Sequence, residues 1–223
     1  MKPKNLKYPF RWKDRCTYFA DKVLYVPDYY TAYGEWIFPG WNFLFENGNP
    51  VNIEYCSGNG AWIIDKARQF PDQNWVAVEW RFERARKIWS KMKNEHLSNL
   101  LIVAGEALTF TKEYIPNHSI AGVYVNFPDP WPKERHAKNR LFQAPFIDQL
   151  SRVLQPTGKI IVATDDEGYS TQIGETIAQN NFFTPNFAYP YYIIDWPGYG
   201  DSYFDALWRS QGKNIHYFQF ERI

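Results

Sequence analysis

Residues 126–136 combine a carboxylate, an aromatic ring and several cations within a few positions of one another. The stretch reads NFPDPWPKERH, so Asp129 and Trp131 lie between prolines, and Lys133 and Arg135 follow directly. Three prolines in five positions exclude both a helix and continued strand pairing. A rigid loop that holds one acid next to a basic run indicates chemistry on a polyanion. The structural alternative is a proline-rich turn that leads into a solvated basic segment.

The elements around this loop are those of an alternating α/β protein. The apolar run at 120–125 predicts a buried strand that ends at the loop. Alternation of strands with helices predicts βαβ units, a mostly parallel sheet and ligand binding at the carboxyl ends of the strands. Further strands are predicted at 51–55, 74–79, 100–104, 159–164 and 215–220, and helices at 61–70, 82–94, 143–154, 169–180 and 202–211.

Composition favours one globular domain and excludes several classes of protein. The chain has 223 residues, 45% of them hydrophobic, and a net charge of +1, so attraction to phosphate must come from local basic patches. Two cysteines exclude a disulfide framework, and the four histidines show no metal-ligand spacing with them. Because this spacing is missing, we expect no metal. Because no leader and no membrane-spanning run is evident, we expect a cytoplasmic protein.

Acidic residues at successive strand ends indicate the kind of cofactor. Gly58 and Gly60 form the turn after the first predicted strand of the alternating region, where backbone can approach a ligand. Carboxylates are predicted at four consecutive strand ends that face one crevice, and they would repel the pyrophosphate of a dinucleotide. A cationic ligand with a ribose and an adenine fits better, so the sequence favours S-adenosylmethionine over NAD. The four acids are Glu54, Glu79, Glu106 and Asp129.

Taken together, these residues resemble the bacterial tRNA (guanine-N7)-methyltransferase family, the TrmB type. The resemblance runs from about residue 50 to the end of the chain, with a looser match upstream. Its most specific part is NFPDPWPK at 126–133, followed by Arg135, His136 and Lys138. It implies a class I S-adenosylmethionine-dependent methyltransferase fold, which is Rossmann-like. That fold has helices on both faces of a seven-stranded, mostly parallel sheet whose last strand is antiparallel.

The resemblance also implies a division of the chain and a role for particular residues. Residues 49–223 would form the methyltransferase domain, and 1–48 an aromatic and basic extension that acts as a lid or contacts RNA. Asp129 would be the catalytic residue and would also contact the cofactor. The other cofactor-binding residues would be Glu54, Gly58, Gly60, Glu79, Glu106 and Ala107, and the substrate-binding residues Lys133, Arg135, Asp165, Ser202 and Asp205.

Several positions depart from the family pattern, among them Ala77 and Val78, which stand where the family has glycine and isoleucine before the acid of the second strand. Cys56 stands where the family usually has a glycine, and its side chain could crowd the cofactor or change the angle of the loop. Ser202 and Asp205 stand where the family has threonine and glutamate. None of these changes removes a charge that the expected chemistry needs.

The expected function is transfer of a methyl group from S-adenosylmethionine to N7 of a guanine in the variable loop of tRNA, by a monomer or homodimer. Guanine N7 carries a lone pair and no proton, so Asp129 would align the reactants rather than abstract a proton. Lys133, Arg135 and Arg140 would bind phosphates. One alternative is a non-catalytic tRNA-binding protein with the same fold. Another is a methyltransferase acting on a small molecule or a protein, against which the basic run argues.

Overall fold

The computed structural model describes residues 1–194, 196–197, 199 and 203–223. These residues form two compact units, Met1–Pro116 and Asn117–Ile223. Among the described residues, no helix has the length and apolar character that a membrane span requires.

The first unit is built on five strands in the order β1-β2-β5-β4-β3. The neighbours β2 and β5, β5 and β4, and β4 and β3 are parallel, whereas β1 and β2 are antiparallel. Tyr55 pairs with Val78 and Glu79 with Ala104, so β3, β4 and β5 end at the same edge. The strands are β1 (Tyr18–Ala20), β2 (Val23–Tyr25), β3 (Val51–Tyr55), β4 (Asn74–Glu79) and β5 (Leu100–Ala104).

The helices of the first unit follow from their apolar faces and their caps. Helix α3 buries Phe82, Ala85, Ile88, Trp89 and Met92, a spacing that places them on one side, while its basic residues lie on the other. Helix α4 was not predicted, because it has only eight residues, two of them threonines. The four helices are α1 (Trp41–Phe45), α2 (Ala61–Gln69), α3 (Phe82–Asn94) and α4 (Ala107–Tyr114).

The second unit has the strand order β6-β7-β10-β8, and the short β9 pairs with β10. β6 and β7 are parallel, and β10 is antiparallel to β7, as predicted for the last strand. Its strands are β6 (Ile120–Asn126), β7 (Leu154–Thr164), β8 (Phe183–Pro185), β9 (Tyr192–Ile193) and β10 (His216–Arg222). Its helices are α5 (Ala144–Val153), α6 (Glu167–Ala178) and α7 (Tyr203–Ser210).

Some boundaries differ from the sequence predictions. The strands β1, β2 and β9 are additional to the seven that the resemblance implies. β7 begins at Leu154 rather than at residue 159, because the register to β6 shifts between Ile120 and Gly122 and the intervening residues bulge. Thr157 in this bulge has φ +65°, which breaks the regular ladder. Helix α6 begins at Glu167, where the Asp166 carboxylate accepts a hydrogen bond from the Tyr169 N–H at 2.7 Å.

Candidate active site

Glu79 is a buried carboxylate at the carboxyl end of β4, with only 4% of its surface exposed. One carboxylate oxygen accepts from the Gly58 N–H and the other from the Arg81 N–H, both at 2.8 Å. Burial raises the pKa of Glu79, and these two donors with the charges of Arg81 and Arg84 offset part of that rise. The side chain therefore joins the end of β4 to the glycine loop that follows β3.

That glycine loop, residues 56–60, contains two glycines, and the structure favours a glycine at each position for a different reason. Gly60 has φ +73°, and a Cβ there would lie 2.7 Å from Cγ1 of Ile88, so packing against α3 requires its small size. Gly58 has φ +57°, and a Cβ there would meet nothing closer than the Cys56 carbonyl oxygen at 3.9 Å. Gly58 thus leaves an open cradle of backbone beside Glu79.

Cys56 adopts a left-handed conformation, with φ +58°, and is exposed. A residue with a Cβ is strained there by about 1–2 kcal/mol, which explains why glycine is common at this position in the family that the sequence resembles. The backbone at Cys56 adopts a conformation that a glycine would also take, and the effect of the cysteine on the cofactor stays a prediction.

Replacing Cys56 by glycine should therefore stabilise the protein. We expect the free energy of unfolding to rise by up to about 1 kcal/mol, since relief of strain exceeds the greater entropy of an unfolded glycine. Urea denaturation measures the change, and Gly48→Ala, at a position with open space and no positive φ, serves as a control for backbone entropy. If Cys56→Gly were less stable than wild type, the contacts of the cysteine side chain would stabilise the fold by more than its backbone strain destabilises it.

The other acids of the first unit lie at the same edge. Glu54 is a buried residue of β3, and its carbonyl oxygen accepts from the Ser57 hydroxyl at 2.8 Å. Glu106 caps α4, with its two carboxylate oxygens accepting from the N–H groups of Leu108 at 2.9 Å and Thr109 at 2.6 Å. Each oxygen keeps a further lone pair, so the cap does not prevent contact with an amino group.

S-adenosylmethionine fits the residues of this edge. The Glu79 carboxylate can accept from ribose hydroxyls, the open backbone at Gly58 admits close approach, and the acids complement a cationic ligand. Glu106 and the neighbouring Ala107, which is half-buried, can contact an adenine. The arrangement offers carboxylates rather than the cations that a pyrophosphate would need.

In the second unit, Asp129 is exposed in the loop that follows β6. Its carboxylate accepts from the Trp131 N–H at 3.1 Å, and the Trp131 ring lies edge-on to His136 at 5.9 Å. Lys133 and Arg135 follow and are exposed, as a role in phosphate binding requires.

Arg140 has a structural role that the sequence did not indicate. Its Nε donates to the Pro130 carbonyl at 2.7 Å, and its Nη1 donates to Gln172 at 2.6 Å. The guanidinium also lies 5.2 Å from the centre of the Tyr169 ring. Arg140 therefore holds the proline-rich loop against α6, and its expected role in phosphate binding stays a prediction.

The two predicted substrate-binding acids each have a cationic partner. Asp165 directly follows β7 and forms an ion pair with Lys213. Asp205 of α7 is buried and accepts from Nε of Arg209 at 2.8 Å and from the Tyr217 hydroxyl. Asp129 follows β6 and Asp165 follows β7, and these two strands are parallel neighbours. Because Asn126 pairs with Ala163, the strands end at the same edge, and both acids extend from it. Ser202 lies outside the described residues.

Tyr217 of β10 completes a closed network with Asp205 and Arg209. Arg209 donates to the Tyr217 oxygen at 3.0 Å, and the ring is fully buried. Burial, together with the Asp205 hydrogen bond, raises the pKa of Tyr217 to about 12. The phenol therefore remains a neutral donor to Asp205 across the physiological range.

Replacing Tyr217 by phenylalanine should destabilise the protein by about 2 kcal/mol, because the buried carboxylate loses a hydrogen-bond donor. The wild-type protein should also lose stability above about pH 10, because the folded pKa exceeds the unfolded one and ionisation is disfavoured in the fold. Urea denaturation at pH 7 and pH 11 measures both effects, with the exposed Tyr189→Phe as control. Equal stability of Tyr217→Phe and wild type would contradict this role.

Sequence reasoning missed Arg209, Lys213 and Tyr217 as partners of the substrate-binding acids. The i, i+4 spacing of Asp205 and Arg209 was a usable signal, because such pairs face each other on a helix. Lys213 and Asp165 are separated by 48 residues, so only the fold brings them together. In the described part of the chain, no cluster of three histidine, cysteine, aspartate or glutamate residues could hold a metal.

This fold is that of a class I, Rossmann-like methyltransferase, and the residues at its strand-end edge suit S-adenosylmethionine. Two solved structures share the fold. The 16S rRNA methyltransferase KamB has a TM-score of 0.57 and 14% identity, over 82% of this chain and 92% of that chain. An S-adenosylmethionine-dependent methyltransferase from Aquifex aeolicus has a TM-score of 0.54 and 12% identity, over 84% and 91%.

Sequence comparison assigns the family. A family model described as "Putative methyltransferase" matches residues 48–191. The tRNA (guanine-N(7)-)-methyltransferase of Chlamydia caviae is 48% identical over 220 residues, which are 99% of this chain and 97% of that protein. The protein of the same name from Clostridioides difficile is 31% identical over 78% of this chain and 81% of its own length. The chain belongs to the tRNA (guanine-N7)-methyltransferase family.

Proposed function

We propose that this chain transfers a methyl group from S-adenosylmethionine to N7 of a guanine in tRNA and forms 7-methylguanosine. The observation that carries the proposal is the 48% identity to the Chlamydia caviae tRNA (guanine-N(7)-)-methyltransferase along 99% of the chain. The Glu79 and Gly58 geometry supports it, because it places a carboxylate beside the open backbone of the loop, where a ribose can bind.

The cofactor supplies an electrophilic methyl group when bound. Glu79 would accept from the ribose hydroxyls, Glu106 and Ala107 would contact the adenine, and Glu54 would lie near the methionine part. Gly58 and Gly60 would let the loop backbone approach closely. The carboxylates would bind the cationic donor more tightly than its neutral product, so the donor would displace the product from the site.

Asp129 would act on the guanine without removing a proton. N7 is already nucleophilic, so alignment of the base is the main task of the protein, and alignment can contribute several kcal/mol. An exposed carboxylate at the end of β6 can orient the base or the cofactor and stabilise the positive charge that develops on the methylated ring.

The substrate residues divide into phosphate-binding and base-binding groups. Lys133 and Arg135 would contact phosphates, which contributes affinity without sequence preference. Asp165 and Asp205 would accept from the N1 and N2 donors of the guanine, sharing their carboxylates with Lys213 and Arg209. Ser202 would also bind the substrate. A guanine in the variable loop suits this site, because an irregular loop exposes N7 better than an A-form groove does.

Three further properties belong to the proposal. The protein would work in the cytoplasm, as a monomer or homodimer. Residues 1–48 would extend a methyltransferase domain at 49–223. Within this extension, β2 pairs in parallel with β5 of the domain, and β1 pairs antiparallel with β2. The extension would serve as a lid or as an RNA contact.

The test is incubation of the protein with unmodified tRNA and methyl-labelled S-adenosylmethionine. We expect label in the tRNA and none with tRNA that already carries 7-methylguanosine. Binding of tRNA without transfer of label would favour a non-catalytic tRNA-binding protein instead.

A further inference from the structure

His216 is a buried imidazole that the proposed chemistry does not use. It is the first residue of β10, is only 5% exposed, and pairs across the sheet with Thr164, the last residue of β7. Its ring stacks on Tyr192, with 4.0 Å between the ring centres and 11° between the ring planes. A buried polar ring needs hydrogen-bond partners, and those of His216 extend to the loop that begins at Asp165.

Two consecutive hydrogen bonds join His216 to the backbone next to Asp165. His216 Nδ1 lies 2.6 Å from the hydroxyl of Ser170 on α6, and this hydroxyl donates to the Asp166 carbonyl at 2.9 Å. Because the hydroxyl has only one proton and gives it to the carbonyl, Nδ1 is the donor to the hydroxyl. Burial lowers the pKa of His216, which the charge of Glu167 partly offsets, so the ring is neutral near pH 7.

The same part of the chain also holds the Asp165 carboxylate. Lys213, three residues before His216, forms an ion pair with Asp165. On the other side of the loop, the Asp166 N–H donates to the Thr164 hydroxyl at 3.3 Å. The segment that begins β10 therefore supports the loop at two points: Lys213 at the carboxylate of Asp165, and His216 at the peptide that follows it.

The position of Asp165 is critical if its carboxylate accepts from both N1 and N2 of a guanine. Two hydrogen bonds to one base edge require both oxygens close to the plane of the base, and hydrogen bonds weaken steeply when they are misaligned. A displacement of about 1 Å in a group that orients a substrate can reduce the rate about 100-fold. The bond between Ser170 and His216 joins α6 to β10, so it limits movement of the helix that begins directly after Asp165 and Asp166.

We propose that His216 is a positioning residue for guanine recognition, which acts through Ser170 to fix the peptide that follows Asp165. The proposal rests on the proposed function, because it takes Asp165 as the acceptor for the guanine N1 and N2 donors. These donors distinguish guanine from adenine, which also offers an N7. His216 therefore acts on the choice of base as well as on the rate.

The first test compares His216→Phe with wild type. Phenylalanine keeps a ring that can stack on Tyr192 but removes the donor, while Ser170 keeps its carbonyl acceptor. We expect kcat/KM for tRNA to fall about ten-fold, through a displacement of Asp165 smaller than 1 Å. The dissociation constant for S-adenosylmethionine, measured by calorimetry, should stay at the wild-type value. His216→Asn, whose amide can donate from close to the Nδ1 position, should recover most of the activity.

Two further variants control for a general loss of structure. Ser170→Ala removes the same link from the side of α6 and should lower kcat/KM as His216→Phe does, so it provides the comparison if His216→Phe does not fold. Ser151→Ala removes a similar hydroxyl on α5, which donates to a backbone carbonyl at 2.8 Å, and should keep the wild-type kcat/KM. Urea denaturation confirms that each variant is folded.

A double variant tests whether His216 acts through Asp165. In the Asp165→Ala background, His216→Phe should lower kcat/KM no further, because the group that it positions is absent. Additive losses would overturn the proposal, as would wild-type kcat/KM in both His216→Phe and Ser170→Ala.

Inosine at the target position of the tRNA measures the choice of base, since inosine lacks the N2 amino group. We expect the preference of wild type for guanine over inosine to fall several-fold in His216→Phe, whereas an equal loss of rate on both substrates would overturn the proposal. Wild-type activity of Asp165→Ala would also overturn it and would leave the proposed function in place. A wild-type chain that transfers no methyl group to tRNA would overturn the proposed function as well.

Discussion

Replacing Asp129 by alanine is expected to reduce kcat for methyl transfer by at least about 100-fold, the scale of losing one electrostatic contact to a transition state. The side chain is exposed and makes a single turn contact to the Trp131 N–H, so its loss should cost about 1 kcal/mol of stability or less. Affinity for tRNA should be retained, because the change removes a negative charge from a surface that binds a polyanion. Single-turnover transfer assays and tRNA titration measure these effects.

Asp129→Asn sharpens the interpretation of this result. The amide keeps the size and one acceptor oxygen but removes the charge. A loss of kcat in both variants assigns the effect to the charge, whereas recovery in Asp129→Asn assigns it to hydrogen bonding. Turnover at the wild-type rate in Asp129→Ala would discard the catalytic assignment.

Replacing Glu79 by glutamine should weaken binding of S-adenosylmethionine by about 100-fold, because charge-assisted hydrogen bonds to hydroxyl groups are each worth roughly 1.5–3 kcal/mol. The amide also places a donor against either the Gly58 N–H or the Arg81 N–H, each of which needs an acceptor. Calorimetric titration with S-adenosylmethionine measures the loss, and Glu83→Gln, on the first turn of α3, is the control.

The raised pKa of Glu79 adds a pH dependence to this prediction. Burial favours the protonated acid, and a protonated acid presents a donor where the ribose hydroxyls need an acceptor. Cofactor affinity of the wild-type protein should therefore fall as the pH drops through this raised pKa and be retained above it. Glu79→Gln should show a flatter profile. An identical pH profile in the two proteins would contradict the assignment of Glu79 to the ribose.

The central strands could be predicted because their signal is local. Residues 51–55, 74–79 and 100–104 are short apolar runs bounded by turns, and the structure has strands at these positions. The N-terminal hairpin could not be placed, since β1 and β2 have three residues each and β2 pairs with β5, about 80 residues later. Secondary structure that depends on distant pairing leaves little trace in a short window of sequence.

In the site, too, features that depend on local sequence could be predicted, whereas contacts between residues far apart in the chain could not. The acids at the ends of β3, β4 and β5 followed from the strand predictions. Gly60 was assigned to the cofactor-binding turn, and its packing against Ile88, 28 residues later in the chain, is a further reason for a glycine there. The contact of Arg140 with the Pro130 carbonyl could not be predicted, because it depends on how the loop folds back. Contacts between distant residues decide such roles, and one sequence does not reveal them.

The most direct test of the account is to map the nucleotide that the protein methylates. Product tRNA is treated with borohydride and aniline, which cleave the chain at 7-methylguanosine, and the modified nucleoside is identified by mass spectrometry. We predict cleavage at one guanine in the variable loop, dependent on S-adenosylmethionine and absent with Asp129→Ala. A methyl group on any other atom or base, or no methylation of tRNA at all, would contradict the account.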